Sequence, residues 1–290
     1  MKKYILALLA LVATTSINAQ VVKVYKNGVL DYTATNTSID KYKVVFEEVP
    51  AAGPNLLPGK FTVNSKGKQV QFTKSNLYWD GRAFKFEENQ TDGFNPTSAD
   101  ETWNPNHVSH FYWSKTASVM YAETYSDSEA STSDTFFFAE ANKSNDANKI
   151  DGTSGYFALS NDEWEYLING RTNSSTLKKY GVSVTNNGTT YTSCLIIAPD
   201  GYTNSTKPLS STTSYTLDEI NTLGLVCLPA AGGRLGSSLF DGGGFGFYWS
   251  STPDDDTGYA YSLHCYLNGA NTTDSYRHAA QSLRLVALPQ

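Results

Sequence analysis

The sequence is short of three things, and each absence excludes a class of function. It has no Lys/Arg-rich stripe, and 22 basic side chains face 28 acidic ones for a formal charge of −6. An acidic surface repels phosphate backbones, so nucleic acid is excluded as a partner. It has no stretch after residue 19 apolar enough to cross a bilayer. It has only three cysteines, Cys194, Cys227 and Cys265, each inside an apolar strand-like run. They read as small buried hydrophobes, with one disulfide plus a free thiol as the alternative, because a domain of this size needs no staples.

Catalytic signatures are missing as well. There is no Gly-x-Ser-x-Gly elbow for a serine nucleophile and no His-Glu-x-x-His for zinc. His107 and His110 have ligand-like spacing, yet they follow Asn104-Pro105-Asn106 and read as loop histidines. The run Gly242-Gly243-Gly244-Phe245-Gly246 lacks the lysine of a phosphate loop and leads into an aromatic strand, not a helix. It reads as a crossing where backbones approach closely near Trp249. No catalytic or metal-binding residue is assigned, and the chain is expected not to be an enzyme.

What is present begins with a targeting segment. Met1-Lys2-Lys3, the apolar run Tyr4 to Ala13 and the small-residue site Ser16-Ile17-Asn18-Ala19 predict a removable signal over residues 1–19, hence an exported protein. Without Lys2 and Lys3, 20 basic side chains face 28 acidic ones, a charge of −8. Residues 20–49 form a small β unit. Lys26-Asn27-Gly28 sits between valine runs as a hairpin signal, and Tyr42 to Phe46 gives a third strand. Three short strands make a thin core, so this piece is expected to dock on the rest or on an assembly partner. Pro50, Gly53, Pro54, Pro58 and Gly59 mark a linker over residues 50–58, and the large domain runs from 59 to 288.

The large domain is expected to be α+β. Strands read at Phe61–Val63, Val70–Phe72, Leu77–Trp79 and Phe84–Phe86. From Thr91 to Asp151 the chain is polar, with aromatic clusters at 111–113 and 136–138, which predicts long loops pinned by aromatic plugs. Two capping boxes open two helices: Ser160-Asn161-Asp162-Glu163 before the stripe Trp164, Leu167, Ile168, and Thr216-Leu217-Asp218-Glu219 before Ile220 and Leu223. A hairpin turns at Asn186-Asn187-Gly188. Later strands read at Leu225–Leu228, Gly246–Trp249, Tyr259–Leu267 and Ser282–Leu288.

Four strings occur in order: Ala158 to Leu167, Leu228-Pro229-Ala230-Ala231-Gly232-Gly233-Arg234, Phe247 to Thr252, and Ser282-Leu283-Arg284-Leu285-Val286. Together they resemble the Fibrobacter major paralogous (FISUMP) type of domain. The resemblance implies a C-type-lectin-like fold, with two short helices, a mixed or antiparallel sheet and long loops. It also implies a secreted or surface protein that binds or adheres. Some relatives with this ending are targets of diversity-generating retroelements, which vary exposed ligand-contacting side chains. The helix string resembles the formylglycine-generating enzymes too. Their chemistry needs a late pair of copper-holding cysteines, and here only Cys265 lies in the last stretch.

The strongest functional signal is compositional. From Thr252 to His278, 18 of 27 residues are Asn, Asp, Tyr, His, Ser or Thr, and none is Lys or Glu. Tyr offers rigid amphipathic area, and Ser, Asn and Asp offer adaptable hydrogen bonding. The expected ligand-binding residues are Asp254, Asp255, Asp256, Tyr259, Tyr261, His264, Tyr266, Asn268, Asn271, Tyr276 and His278. Strand alternation predicts Leu263, Cys265 and Leu267 facing the core, with Ser262, His264, Tyr266 and Asn268 outward. The ligand class is a glycan or a protein. The acidic loop Asp254–Asp256 is where Ca²⁺ would bind if the chain used it, but the sugar-binding tripeptides Glu-Pro-Asn and Gln-Pro-Asp are absent. A structural subunit of a surface appendage, docked through residues 20–49, is the alternative.

Overall fold

The computed structural model describes residues 20–26, 29–36, 55–93, 103–126, 130–203, 207–209 and 211–289. The predicted signal and the third strand at Tyr42–Phe46 lie outside them. The chain divides into two compact units at Val49/Pro50. In the first, β1 (Gln20–Lys26) pairs antiparallel with β2 (Val29–Asn36), with Lys26 opposite Val29 in the register. This is the predicted hairpin. The linker boundary needs correction: Leu57 N donates to Phe72 O, and Leu56 and Leu57 are buried. Residues 55–58 therefore belong to the folded unit, held there by apolar burial.

The second unit is α+β, built of several small sheets with few short helices. β4 (Gln69–Phe72) lies between β3 (Phe61–Thr62) and β16 (Val286–Ala287), so the start and end of the domain share a sheet. Thr73 N donates to Leu285 O and Leu77 N to Leu283 O, extending that seam toward the β5 (Leu77–Trp79)–β6 (Phe84–Phe86) hairpin. The final strand is shorter than the sequence suggested. Ser282 makes a single bridge to Tyr248, and Val286, paired with Phe72 inside β16, also bridges Phe157.

The aromatic plugs of the long loop are real. Phe111, Tyr112, Trp113, Phe136 and Phe138 are buried, and Trp113 stacks on Phe136 at 5.2 Å. That packing orders the short helix α1 (Ala117–Met120) and two 3₁₀ turns, Glu140–Asn142 and Asp146–Asn148, in sequence without apolar periodicity.

Helix α2 (Asn161–Glu165) starts at the predicted box: Ser160 Oγ accepts from Glu163 N, and Glu163 Oε2 accepts from Ser160 N. Such a cap contributes about 1 kcal/mol. The helix continues as a π turn over Tyr166–Gly170, and Trp164, Leu167 and Ile168 enter the core. β7 (Lys178–Asn186) and β8 (Thr189–Ile197) form the predicted hairpin, with Asn187 and Gly188 at φ 47° and 83°. Both residues tolerate left-handed backbone, as this turn demands. β9 (Ser214–Thr216) joins β7 in parallel and leads through the second capping box into α3 (Leu217–Thr222). β10 (Val226–Leu228) closes the sheet against β8.

Candidate functional site

The candidate surface lies on an antiparallel meander of β13 (Phe245–Pro253), β14 (Tyr259–Tyr266) and β15 (Gly269–Tyr276). β15 was not anticipated, because Gly-Ala-Asn-Thr-Thr-Asp-Ser-Tyr carries no apolar alternation. Its register with β14 is unbroken, from Tyr259 opposite Tyr276 to Tyr266 opposite Gly269. Alternation then assigns every side chain to one of two faces.

The two faces are covered diagonally. On one, Tyr248, Leu263 and Cys265 enter a core with Phe61, Phe72, Trp164 and Leu195. Farther along the same face, Tyr259, Tyr261, Asp274 and Tyr276 emerge beyond that core. On the other face Trp249 and Ala260 enter a second core with Trp113 and Phe136. Its opposite end carries Phe245, Phe247, His264, Tyr266 and Asn271.

The expected single patch is therefore two. Tyr259 and Tyr261 stand on one side of β14, and His264 and Tyr266 stand on the other. Two further corrections follow. Ser262 is fully buried, its hydroxyl 3.0 Å from Ser275 Oγ, because the second core reaches that far along the strand. Leu267 is 58% exposed, because it sits in the turn after β14 and not within the alternating strand.

The first patch is an aromatic step. The Tyr259 and Tyr276 rings lie 4.5 Å apart, and the His278 ring stacks on Tyr276 at 4.9 Å. Tyr276 is 51% exposed. The hydroxyl bond to Tyr276, added to partial desolvation, pushes the Tyr259 phenol up to about 12. Tyr261 donates its hydroxyl to Asp254, and that bond and the carboxylate charge raise its pKa. Asp274, exposed and opposite Tyr261, belongs to this patch too, although it was not among the expected residues.

The acidic loop is committed to its own turn. Asp254 Oδ1 accepts from Asp256 N, and Asp256 Oδ1 accepts from Gly258 N. Asp255 and Asp256 point into solvent. Among the described residues no three His, Cys, Asp or Glu side chains group as metal ligands.

The second patch is more apolar. Phe245, 41% exposed, stacks parallel to Phe247 at 5.9 Å and lies 5.7 Å from Tyr266. His264 meets the edge of Phe247 at 4.7 Å, and its Nε2 is 2.9 Å from both Ser262 and Ser275 Oγ. Burial lowers its pKa to about 4, so the ring is neutral at pH 7. Asn268 is exposed in the β14–β15 turn, and Asn271 is exposed opposite His264.

Other candidates resolve into scaffold. His110 is buried against Ala231 O, and His107 lies 2.9 Å from Glu87, so the two do not form a ligand pair. Arg284 is buried and donates to Asn76, Thr73 O, Gln90 and Cys227 O, which keeps its charge satisfied without an acid partner. Gly246 admits no side chain, since a Cβ there would lie 2.7 Å from Cys265 Sγ and from Pro229 O. All three cysteines are buried and free, and Cys227 and Cys265 lie on strands of different sheets.

No protein-family model matches the chain, and neither the curated proteins nor the solved structures contain a significant match. No helix among the described residues is long and apolar enough to cross a membrane.

Proposed function

We propose that this is an exported, non-enzymatic recognition protein with a C-type-lectin-like domain of the FISUMP type, binding a glycan or protein ligand at the cell surface or beyond it. The observation that carries the reading is the Tyr259–Tyr276–His278 step, with the Tyr261–Asp254 pair beside it. Its rings are stiffened by one another and by a sheet anchored in two cores, so ordering them on binding costs little entropy. Aromatic faces stack on sugar rings or apolar side chains, while Asp254 and Asp274 accept hydroxyls or amides. The proposed family is supported by the four ordered strings, each of which falls at a packed junction: the α2 cap, the corner after β10, β13 and the β16 seam.

The test is a glycan and protein array probed with wild type and a Tyr259→Ala/Tyr261→Ala/Tyr276→Ala variant. A ligand bound only by wild type is the expected result, and equal signals from both would reject the patch. A second reading, a structural subunit, draws on the β1–β2 hairpin, since the two strands among the described residues there are too few to be stable by themselves. An oligomer that vanishes when residues 20–49 are deleted would favour it.

A further inference from the structure

An open cleft of about 590 Å³ lies beside the 3₁₀ turns that follow the Phe136–Phe138 plug. That volume lies in the range of small-ligand sites. Its walls include three side-chain amides, Asn142, Asn145 and Asn148, together with Lys115, Asp134 and the ring of Phe137. None of these belongs to the tyrosine step.

The amides are held in place before any ligand arrives. Asn142 Nδ2 donates to Phe136 O at 3.1 Å and Phe137 O at 3.3 Å. Asn148, only 2% exposed, donates from Nδ2 to Phe137 O at 2.6 Å. Among the described residues nothing bonds the carbonyl end of Asn148. Asn145 Nδ2 reaches Asn142 Oδ1 at 3.5 Å, leaving its own carbonyl open, and Thr135 adds a hydroxyl. The one lining carboxylate is fully engaged: Asp134 Oδ1 lies 2.8 Å from Lys115 Nζ, and Asp134 Oδ2 accepts from Ser131 N and Arg277. A cationic ligand thus finds no uncompensated partner. Only Phe137 and Ala147 are apolar among the lining residues, so an apolar peptide side chain has no pocket.

We propose that this cleft is a second binding site, for a neutral saccharide of a few rings. Side-chain amides present donor and acceptor together, matching hydroxyls that both donate and accept, and the half-buried Phe137 ring offers a face for sugar C–H groups. The experiment is saturation-transfer NMR on the full chain with maltotriose, cellotriose, diacetylchitobiose and, for contrast, trialanine. At least one saccharide should bind wild type and the Tyr276→Ala variant alike. Asn145→Ala should weaken it about tenfold, the change expected for one or two lost hydrogen bonds. Ala147→Trp, at an exposed position, should abolish it by filling the cleft. The proposal is overturned if no saccharide binds, if Ala147→Trp leaves binding intact, or if trialanine binds better than the sugars. Loss in Tyr276→Ala alone would assign the sugar to the tyrosine step instead.

Discussion

Arg277 Nη1 lies 3.2 Å from Asp134 Oδ2, with the arginine side chain 1% exposed and the carboxylate 10% exposed. The guanidinium also donates to Tyr259 O and Ser131 O and lies over the Trp113 ring at 4.2 Å. Its neighbours Tyr276 and His278 form the aromatic step, while Asp134 lines the amide cleft. One buried strut therefore supports both candidate surfaces.

Replacing Arg277 should be severe. Arg277→Met strands Asp134 beside a single remaining exposed lysine and removes one of two donors from each of Tyr259 O and Ser131 O, which keep Asp254 N and Asp134 N. Breaking a buried pair on one side costs about 3–5 kcal/mol. Arg277→Lys should recover only part, because an ammonium lacks the planar fork that reaches three acceptors. Urea unfolding measures this, and wild-type stability in both variants would remove the strut from the account.

How far was this arrangement legible in the sequence? The capping boxes at Ser160 and Thr216 and the Asn187-Gly188 turn were, because each is a local chemical rule satisfied within four residues. β15 was not, since a polar strand without alternation gives no periodic signal. Asn268-Gly269 hinted at a turn, but the turn residues are Leu267 and Asn268, with Tyr266 opposite Gly269; pairing the segments that flank the Asn-Gly dipeptide would have set Tyr261 opposite Tyr276, two places from its partner Asp274. The division of the patch was equally hidden: it depends on where two separate cores stop along one sheet, which is a tertiary fact. Residues 55–58 misled because Pro58 and Gly59 look like a linker, while Leu56 and Leu57 carry the burial.

The thiols should be inert in the native state. Hydrogen bonding between Cys194 and Cys227, then burial, raises the Cys194 pKa, and burial pushes Cys265 up to about 12. The thiolate is the reactive species, so native protein at pH 8 should resist alkylation. In denaturant, iodoacetamide should add three times by mass. Rapid labelling without denaturant, or fewer than three additions with it, would contradict three buried free cysteines.

Gly232 should tolerate no side chain. Its φ is +68°, and a Cβ there would sit 2.2 Å from Phe240 O and 2.7 Å from Gly242 N. Gly232→Ala combines left-handed strain with a backbone clash, and a loss of roughly 2–4 kcal/mol is expected. Gly236→Ala is the control, with φ +58° but open space around the added methyl. Equal melting temperatures for the two variants would show that the close crossing is not needed.

Acid should weaken the fold before the carboxylates titrate. His110 is 5% exposed and 3.1 Å from Ala231 O, and burial, helped by the Arg234 charge, lowers its pKa to about 4. The unfolded chain takes up that proton near pH 6.5, whereas the folded one resists until about pH 4. Stability is thus full above pH 6.5 and falls as pH drops toward 4, by about 3 kcal/mol for this residue. His264, also lowered to about 4 by burial, acts in the same direction. The acids with lowered values, Asp134, Glu140 and Glu219, lose their contribution only below their ordinary range near 4, so the two windows separate. Urea midpoints at pH 7.5, 5.5 and 4.5 should fall stepwise. His110→Gln keeps a donor for Ala231 O but cannot titrate, so its slope across that window should be shallower. A wild-type midpoint unchanged from pH 7.5 to 4.5 would mean that these imidazoles protonate freely in the folded state.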